Sequence, residues 1–118
     1  MLLLNCEKAY IPREKIELYL LSQTHAIGKS KAKFFRAMGY NEANADLLEQ
    51  GLLTIGRTQE VVDMVSSTHG VKYVIDGFLQ TPNGKFVTVR TIWIIEAGNA
   101  SPRFVTAYPS KKWAIRYD

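Results

Sequence analysis

The sequence predicts an α+β domain in which N-terminal helices pack on a four-stranded antiparallel β-meander, in the order α-α-α-β-β-β-β. Three observations carry that expectation. Apolar residues recur at helical spacing up to about residue 57, β-branched and aromatic residues dominate afterwards, and turn signals cut the second half at short intervals. Connections this short make neighbouring strands pair antiparallel. The helices then cover one sheet face, and the other is free to be solvated or to bind a substrate.

Each element has its own local signal. In "YIPREKIELYLLSQ", Pro12 suits the first helical position, where its missing N–H has no partner to lose, and Ile16, Tyr19 and Leu20 then recur at helical spacing; this predicts helix one from about Arg13 to Ser22. After a break at Gly28, helix two is expected from about Ser30 to Met38, with Gly39 as the left-handed residue that ends it. Asn41 is placed to cap helix three, whose apolar stripe is Leu47, Leu48 and Leu52; Gly51 weakens it and puts its end near Thr54. "TQEVVDMVSST" is a first strand, closed by a turn at His69 and Gly70. "VKYVIDGFLQT" is a second, closed by the hairpin signal Pro82–Asn83–Gly84. "KFVTVRTIWIIE" is a third, and after the loop "AGNASP" the fourth, "RFVTAY", stops at Pro109.

The chain has 118 residues, enough for one compact domain and too few to divide comfortably into two, so residues 1–118 are expected to form a single unit. With 47% hydrophobic and 22% charged residues the composition is that of a folded globular chain and excludes a disordered one. The opening apolar run, Met1 to Leu4, is far shorter than the ~20 residues of a membrane span, and no export signal or membrane anchor is expected. Cys6 is the single cysteine, which rules out an intramolecular disulfide and a Cys-rich zinc site and fits a cytoplasmic setting. Fifteen Lys plus Arg against eleven Asp plus Glu give a net charge of +4, which tilts the partner toward polyanions such as RNA or DNA.

Candidate chemistry concentrates in "HAIGKSKAKFFRAMGY", residues 25 to 40. Around a helix axis Lys29, Lys33 and Arg36 form one stripe, while Phe34, Phe35 and Met38 fill the opposite side. The stripe reads most simply as a solvated face; with Ser30 these are the candidate substrate-binding residues. Lys31 stands apart and projects between Met38 and Phe35, either carrying its ammonium into a concave site or burying its stem and letting the charge reach water. His25 precedes the helix start, where free backbone N–H groups and the helix dipole favour an anion, and histidine takes and gives protons near neutral pH; the alternative is a polar loop residue. Gly28 to Lys31 has the flavour of a phosphate cradle but lacks P-loop spacing, and no nucleotide cofactor is expected. His69 falls in a turn. Two histidines without a nearby carboxylate pattern make a poor metal site, so no metal is expected.

Along the third strand Val87, Val89, Thr91, Trp93 and Ile95 share one face, and Thr88, Arg90, Ile92, Ile94 and Glu96 the other. Arg90 is the unusual residue there. On an open face it can clamp a phosphate through two parallel hydrogen bonds; the alternative is an ion pair with Asp76 or another neighbouring-strand carboxylate. Strict alternation puts Phe104, Thr106 and Tyr108 together on the last strand, displaying a hydroxyl pair if that face is open and packing a satisfied tyrosine if it is core. The paired carboxylates of a glycosidase and the serine of a nucleophile elbow are not identifiable.

"H-x-x-G-x-S-K-A-x-F-F-x-x-x-G-Y" at 25–40, "K-Y-V-I-D-G-F-L-Q-T-P-N-G" at 72–84, "V-R-T-I-W-I-I" at 89–95 and "P-R-F-V-T-A-Y-P" at 102–109 resemble an uncharacterised bacterial domain family over about residues 14–109. More remotely, helices leading into a four-stranded meander, with a histidine and basic residue early and an arginine and Thr-x-Tyr late, look like the ribonuclease superfamily of barnase, EndoU, colicin nucleases and RelE-type toxins. That resemblance implies metal-independent RNA cleavage and a small neutralising partner protein. It also implies roles: His25 as general acid or base, Lys31 and Arg90 stabilising a pentacoordinate phosphate, and Thr106 and Tyr108 orienting it. The sequence departs from the pattern in one respect, since only a lysine, a tyrosine or a carboxylate such as Asp76 is present to serve as the second proton-transfer group. The competing reading is a non-enzymatic adaptor or immunity-like protein, in which the same residues are structural.

Overall fold

Pro12 precedes the first helix, and its carbonyl accepts the Lys15 N–H at 2.9 Å. In the structure, a computed structural model that describes residues 1–24 and 29–110, helix α1 is an α-helical turn, Arg13–Lys15, running directly into a π-helical segment, Ile16–Leu20. The wider turn is closed by an i→i+5 bond, Leu21 N–H to the Ile16 carbonyl at 3.0 Å. Helix α2 spans Lys29–Ala37. It stops where the sequence asks it to: Gly39 has φ 102°, a left-handed conformation that glycine adopts without a Cβ clash.

Asn41 does cap the next helical segment, through a capping box. Its side chain accepts the Ala43 N–H, and the Asn44 side chain accepts the Asn41 N–H, starting a 3-10 turn, Glu42–Asn44, that feeds helix α3, Ala45–Thr58. Two expectations about α3 need correction. Leu47 is 59% exposed, so the buried stripe is Ala45, Leu48, Leu52 and Ile55. The helix also continues past Thr54 to Thr58, because its glycines serve close packing on the sheet. A Cβ at Gly51 would lie 2.6 Å from Leu79 Cδ2, and one at Gly56 would lie 2.5 Å from Trp93 Cζ2.

Strands β1 (Val61–Ser67), β2 (Gly70–Gln80), β3 (Phe86–Glu96) and β4 (Arg103–Pro109) form one antiparallel sheet in sequence order, the expected meander. The helices therefore lead into the sheet as a separate layer, and the fold class is α+β as the periodicity change predicts. Tyr73, Ile75 and Leu79 of β2 and Val87, Val89, Thr91 and Trp93 of β3 face the helices and are buried. Trp93 centres this core, edge-on to Phe104 with ring centres 5.4 Å apart. Its Nε1 donates to Thr91 Oγ1 at 2.8 Å, and that hydroxyl donates to the Ile75 carbonyl at 2.7 Å, so the indole N–H and the Thr91 hydroxyl are both paired.

Strand β4 departs from strict alternation. Ile92 pairs with Thr106 but Trp93 pairs with Phe104, leaving Val105 as an extra residue in the strand. Phe104 consequently joins the core while Tyr108 pairs with Arg90, so the expectation that Phe104, Thr106 and Tyr108 share a face is overturned. The start of this edge strand is covered by the chain before α1, through Tyr10 N–H to the Pro102 carbonyl and Phe104 N–H to the Tyr10 carbonyl, each 3.0 Å.

Candidate functional site

Helices α1 and α2 both reach β4, and their polar side chains meet there. Tyr19, in the π-helical turn, places its Oη 3.1 Å from Thr106 Oγ1 in a hydrogen bond. The Lys15 ammonium lies over the Tyr19 ring, 4.9 Å from its centre, and the Lys31 ammonium of α2 lies over the same ring at 5.7 Å. Both are within cation–π range. Lys15, Tyr19, Lys31 and Thr106 are all half-buried. Among the described residues no carboxylate reaches either ammonium: the side-chain ion pairs there all use arginines.

Sequence reasoning selects Lys31 and Thr106 and misses Lys15 and Tyr19. Tyr19 reads as part of an apolar stripe, and the available signal is the i, i+4 spacing of Lys15 and Tyr19, which puts a cation and a ring on one side of a helix.

On the sheet face away from the helices a second polar row crosses three strands: Asp76, Arg90 and Tyr108 are successive cross-strand neighbours. Arg90 donates Nε to Asp76 Oδ1 at 2.8 Å and Nη2 to Oδ2 at 3.0 Å, a fork-to-carboxylate contact. The alternative foreseen for Arg90, pairing with Asp76, is the arrangement present. The hydrogen bond to Asp76 raises the guanidinium pKa above its ordinary value, against the opposing effect of burial, with smaller support from the Asp76 charge, Tyr108 and Asp63. Tyr108 and Thr106 are two residues apart on β4, a rise of roughly 7 Å, so this row lies beside the Tyr19 cluster.

Arg36 is not part of a freely solvated stripe. Its Nε and Nη2 donate to the Leu21 carbonyl at 2.9 and 2.7 Å, capping the end of α1, and Nη2 also pairs with Glu42. The hydrogen bond from Arg36, followed by one from the backbone, holds the Glu42 carboxyl below its usual pKa. Ser30 and Lys33 are exposed, and with Gln23, Arg36 and Ala37 they line a shallow groove of about 590 Å³ on another side of α2 from Lys31. Lys29 opens α2. His25 lies outside the described residues, as does the Gly28 break. His69 is an exposed turn residue as expected, its N–H donating to Ser67 Oγ at 3.2 Å. Among the described residues no three His, Cys, Asp or Glu side chains gather around a possible metal position, and no helix is long and apolar enough to cross a membrane.

A family profile matches residues 2–111, a span that contains every strand and every candidate residue. The chain belongs to the family called domain of unknown function DUF6883. No curated protein sequence matches this DUF6883 chain. Its fold is similar to that of a solved chain from Klebsiella pneumoniae 342, in a structure described as a contact-dependent growth inhibition toxin–immunity protein complex. The similarity has a TM-score of 0.70 at 14% identity and covers 90% of this chain and 97% of that one.

Proposed function

We propose that this DUF6883 domain is a toxin- or stress-effector module of RNase type, cleaving RNA by acid–base chemistry without a metal or nucleotide cofactor. The observation that carries the reading is the position of Lys31, from the basic helix, over the ring of Tyr19, whose hydroxyl bonds to Thr106 on the last strand. The fold likeness to a structure described as a toxin–immunity complex supports a toxin- or immunity-like module.

In this reading His25 transfers a proton at the 2′-hydroxyl or at the leaving oxygen. The 2′-hydroxyl gives up its proton as its oxygen bonds to phosphorus to form a 2′,3′-cyclic phosphate, the bond to the 5′-oxygen breaks, and that oxygen takes up a proton, so that one proton is removed and one returned. Lys31 offsets the extra negative charge on the pentacoordinate phosphate, and the Thr106 and Tyr108 hydroxyls orient its oxygens. Arg90 acts from its pairing with Asp76, offering its remaining N–H groups to a phosphate oxygen. Ser30, Lys29, Lys33 and Arg36 flank the path of the RNA on α2. A small neutralising protein that covers this region is the expected partner, in a cytoplasmic setting where RNA is available.

The test is incubation of the purified protein with bulk RNA in EDTA, wild type beside His25→Ala. Cleavage by the wild type and its loss in the variant are expected; equal cleavage, or none, overturns the mechanism. A second reading, a non-enzymatic adaptor or immunity-like module, is favoured by the closure of Arg90 on Asp76 and of Arg36 on Leu21 and Glu42. Growth arrest on expression, relieved by His25→Ala, supports the toxin; absence of arrest supports the module.

A further inference from the structure

We infer that Lys15, Tyr19, Lys31 and Thr106 form a binding subsite for a backbone phosphodiester of single-stranded RNA, with Lys15 and Tyr19 as binding residues that the catalytic reading does not include. The choice of RNA rests on that reading; the site itself rests on geometry.

Two ammonium groups are collected over one aromatic ring with no carboxylate in reach among the described residues, although like charges brought together repel. The ring's electron-rich faces offset part of that cost, and a bound anion supplies the countercharge that the described residues do not. Of the Tyr19 and Thr106 hydroxyls, in contact at 3.1 Å, one donates to the other, so the pair offers at most one further O–H at the same place. Arg13, Arg36, Arg90 and Arg103 spend their forked donors on carboxylates, whereas neither Lys15 nor Lys31 has a carboxylate partner among the described residues. The backbone supplies an independent sign. Tyr19 sits in a π-helical turn that begins at the residue after Lys15, and such turns are rare and concentrate at functional sites. A phosphodiester satisfies all of these features together: one negative charge shared by two oxygens, approachable by cations and hydroxyls at once.

The experiment measures binding of a fluorescent 2′-O-methyl RNA octamer, which cannot be cut by 2′-hydroxyl attack, to the full chain by anisotropy across a salt series. Lys15→Gln and Lys31→Gln are each expected to weaken binding on the order of fivefold and to lower the slope of log affinity against log salt by about 0.7, one phosphate contact on a single strand. Tyr19→Phe keeps the ring and is expected to lose roughly twofold. Lys85→Gln, at an exposed lysine in the β2–β3 turn, is the control for general charge and is expected to bind as wild type. Thermal midpoints within about 2 °C of wild type for the lysine variants, and one cooperative transition well above the assay temperature for Tyr19→Phe, establish that the variants are folded.

No binding by the wild type overturns the subsite, as does an equal loss in Lys85→Gln or no loss in either Lys15→Gln or Lys31→Gln. Inorganic phosphate competing as well as unlabelled octamer overturns the assignment to a polymer backbone. Octamer binding with these losses, but no RNA cleavage in EDTA, removes the nuclease reading and leaves the subsite. Cleavage and octamer affinity unchanged by Lys15→Gln and Tyr19→Phe remove the subsite and leave the nuclease.

Discussion

Arg90 and Lys31 are cations that sequence reasoning assigns to one cleft, yet the protein treats them differently. Arg90 lies opposite Asp76 across two strands and spends two N–H groups on its carboxylate, whereas Lys31 and Lys15 rest over an aromatic ring. The difference is chemical. A planar guanidinium in a sheet finds a carboxylate at the adjacent register position and locks onto both oxygens; an ammonium on a flexible stem keeps its charge outward and packs its methylenes. The first region uses charge to hold strands together, and the second leaves two ammonium groups with no carboxylate partner among the described residues.

The contrast can be broken most severely at Lys31. Lys31→Ala is expected to lower RNA cleavage in EDTA about a hundredfold, on the order of 2.7 kcal/mol of transition-state stabilisation, while the thermal midpoint stays within about 2 °C of wild type. A large fall in stability without a change in rate would invert the assignment of the two regions.

Asp76→Ala tests the other side. It leaves Arg90 without its partner, and because the arginine side chain is 38% exposed, water replaces part of the lost interaction; a loss of about 1–2 kcal/mol in urea unfolding is expected. The double variant with Arg90→Met should recover part of that loss, since no unpaired cation then remains. Tyr19→Phe removes the hydroxyl contact to Thr106 and is expected to cost about 0.5–1.5 kcal/mol by the same measurement.

The smallest effect belongs to Glu42. Its folded-state pKa is depressed, first by the hydrogen bond from Arg36, so the stability it contributes is present above the ordinary glutamate pKa and fades as pH falls through the lower, folded value. In Glu42→Gln the acid side of the stability–pH curve should be flatter than in wild type, because the small contribution of Glu42 at neutral pH is missing and the two proteins converge in acid. A steeper acid limb in the variant would contradict the assigned sign.

Much of the fold is legible in the chain because it depends on local periodicity. Pro12, Gly39, Asn41 and the Pro82–Gly84 turn act within a few residues, and each marks a boundary close to the place expected of it. The errors arise where the deciding contact is distant in sequence. Gly51 reads as a weak point in α3, but Leu79 and Trp93 press so closely that the two glycines of this helix are where it touches the sheet. Leu47 reads as core and lies outside, because the sheet selects which side of an amphipathic helix is covered.

The candidate site divides in the same way. Lys31 stands out from its angular position alone, whereas Tyr19 becomes visible only when α1 is laid against β4 and its hydroxyl meets Thr106. Backbone preferences and composition, both written directly in the chain, are enough to set the order of helices and strands, the turn positions and the excess of basic side chains. Folding in three dimensions decides which cations are neutralised, where the extra residue in β4 moves Phe104 into the core, and that Lys15 and Lys31 share one ring. Such choices depend on register and on contacts between distant segments, and neither is encoded in the spacing along any single element.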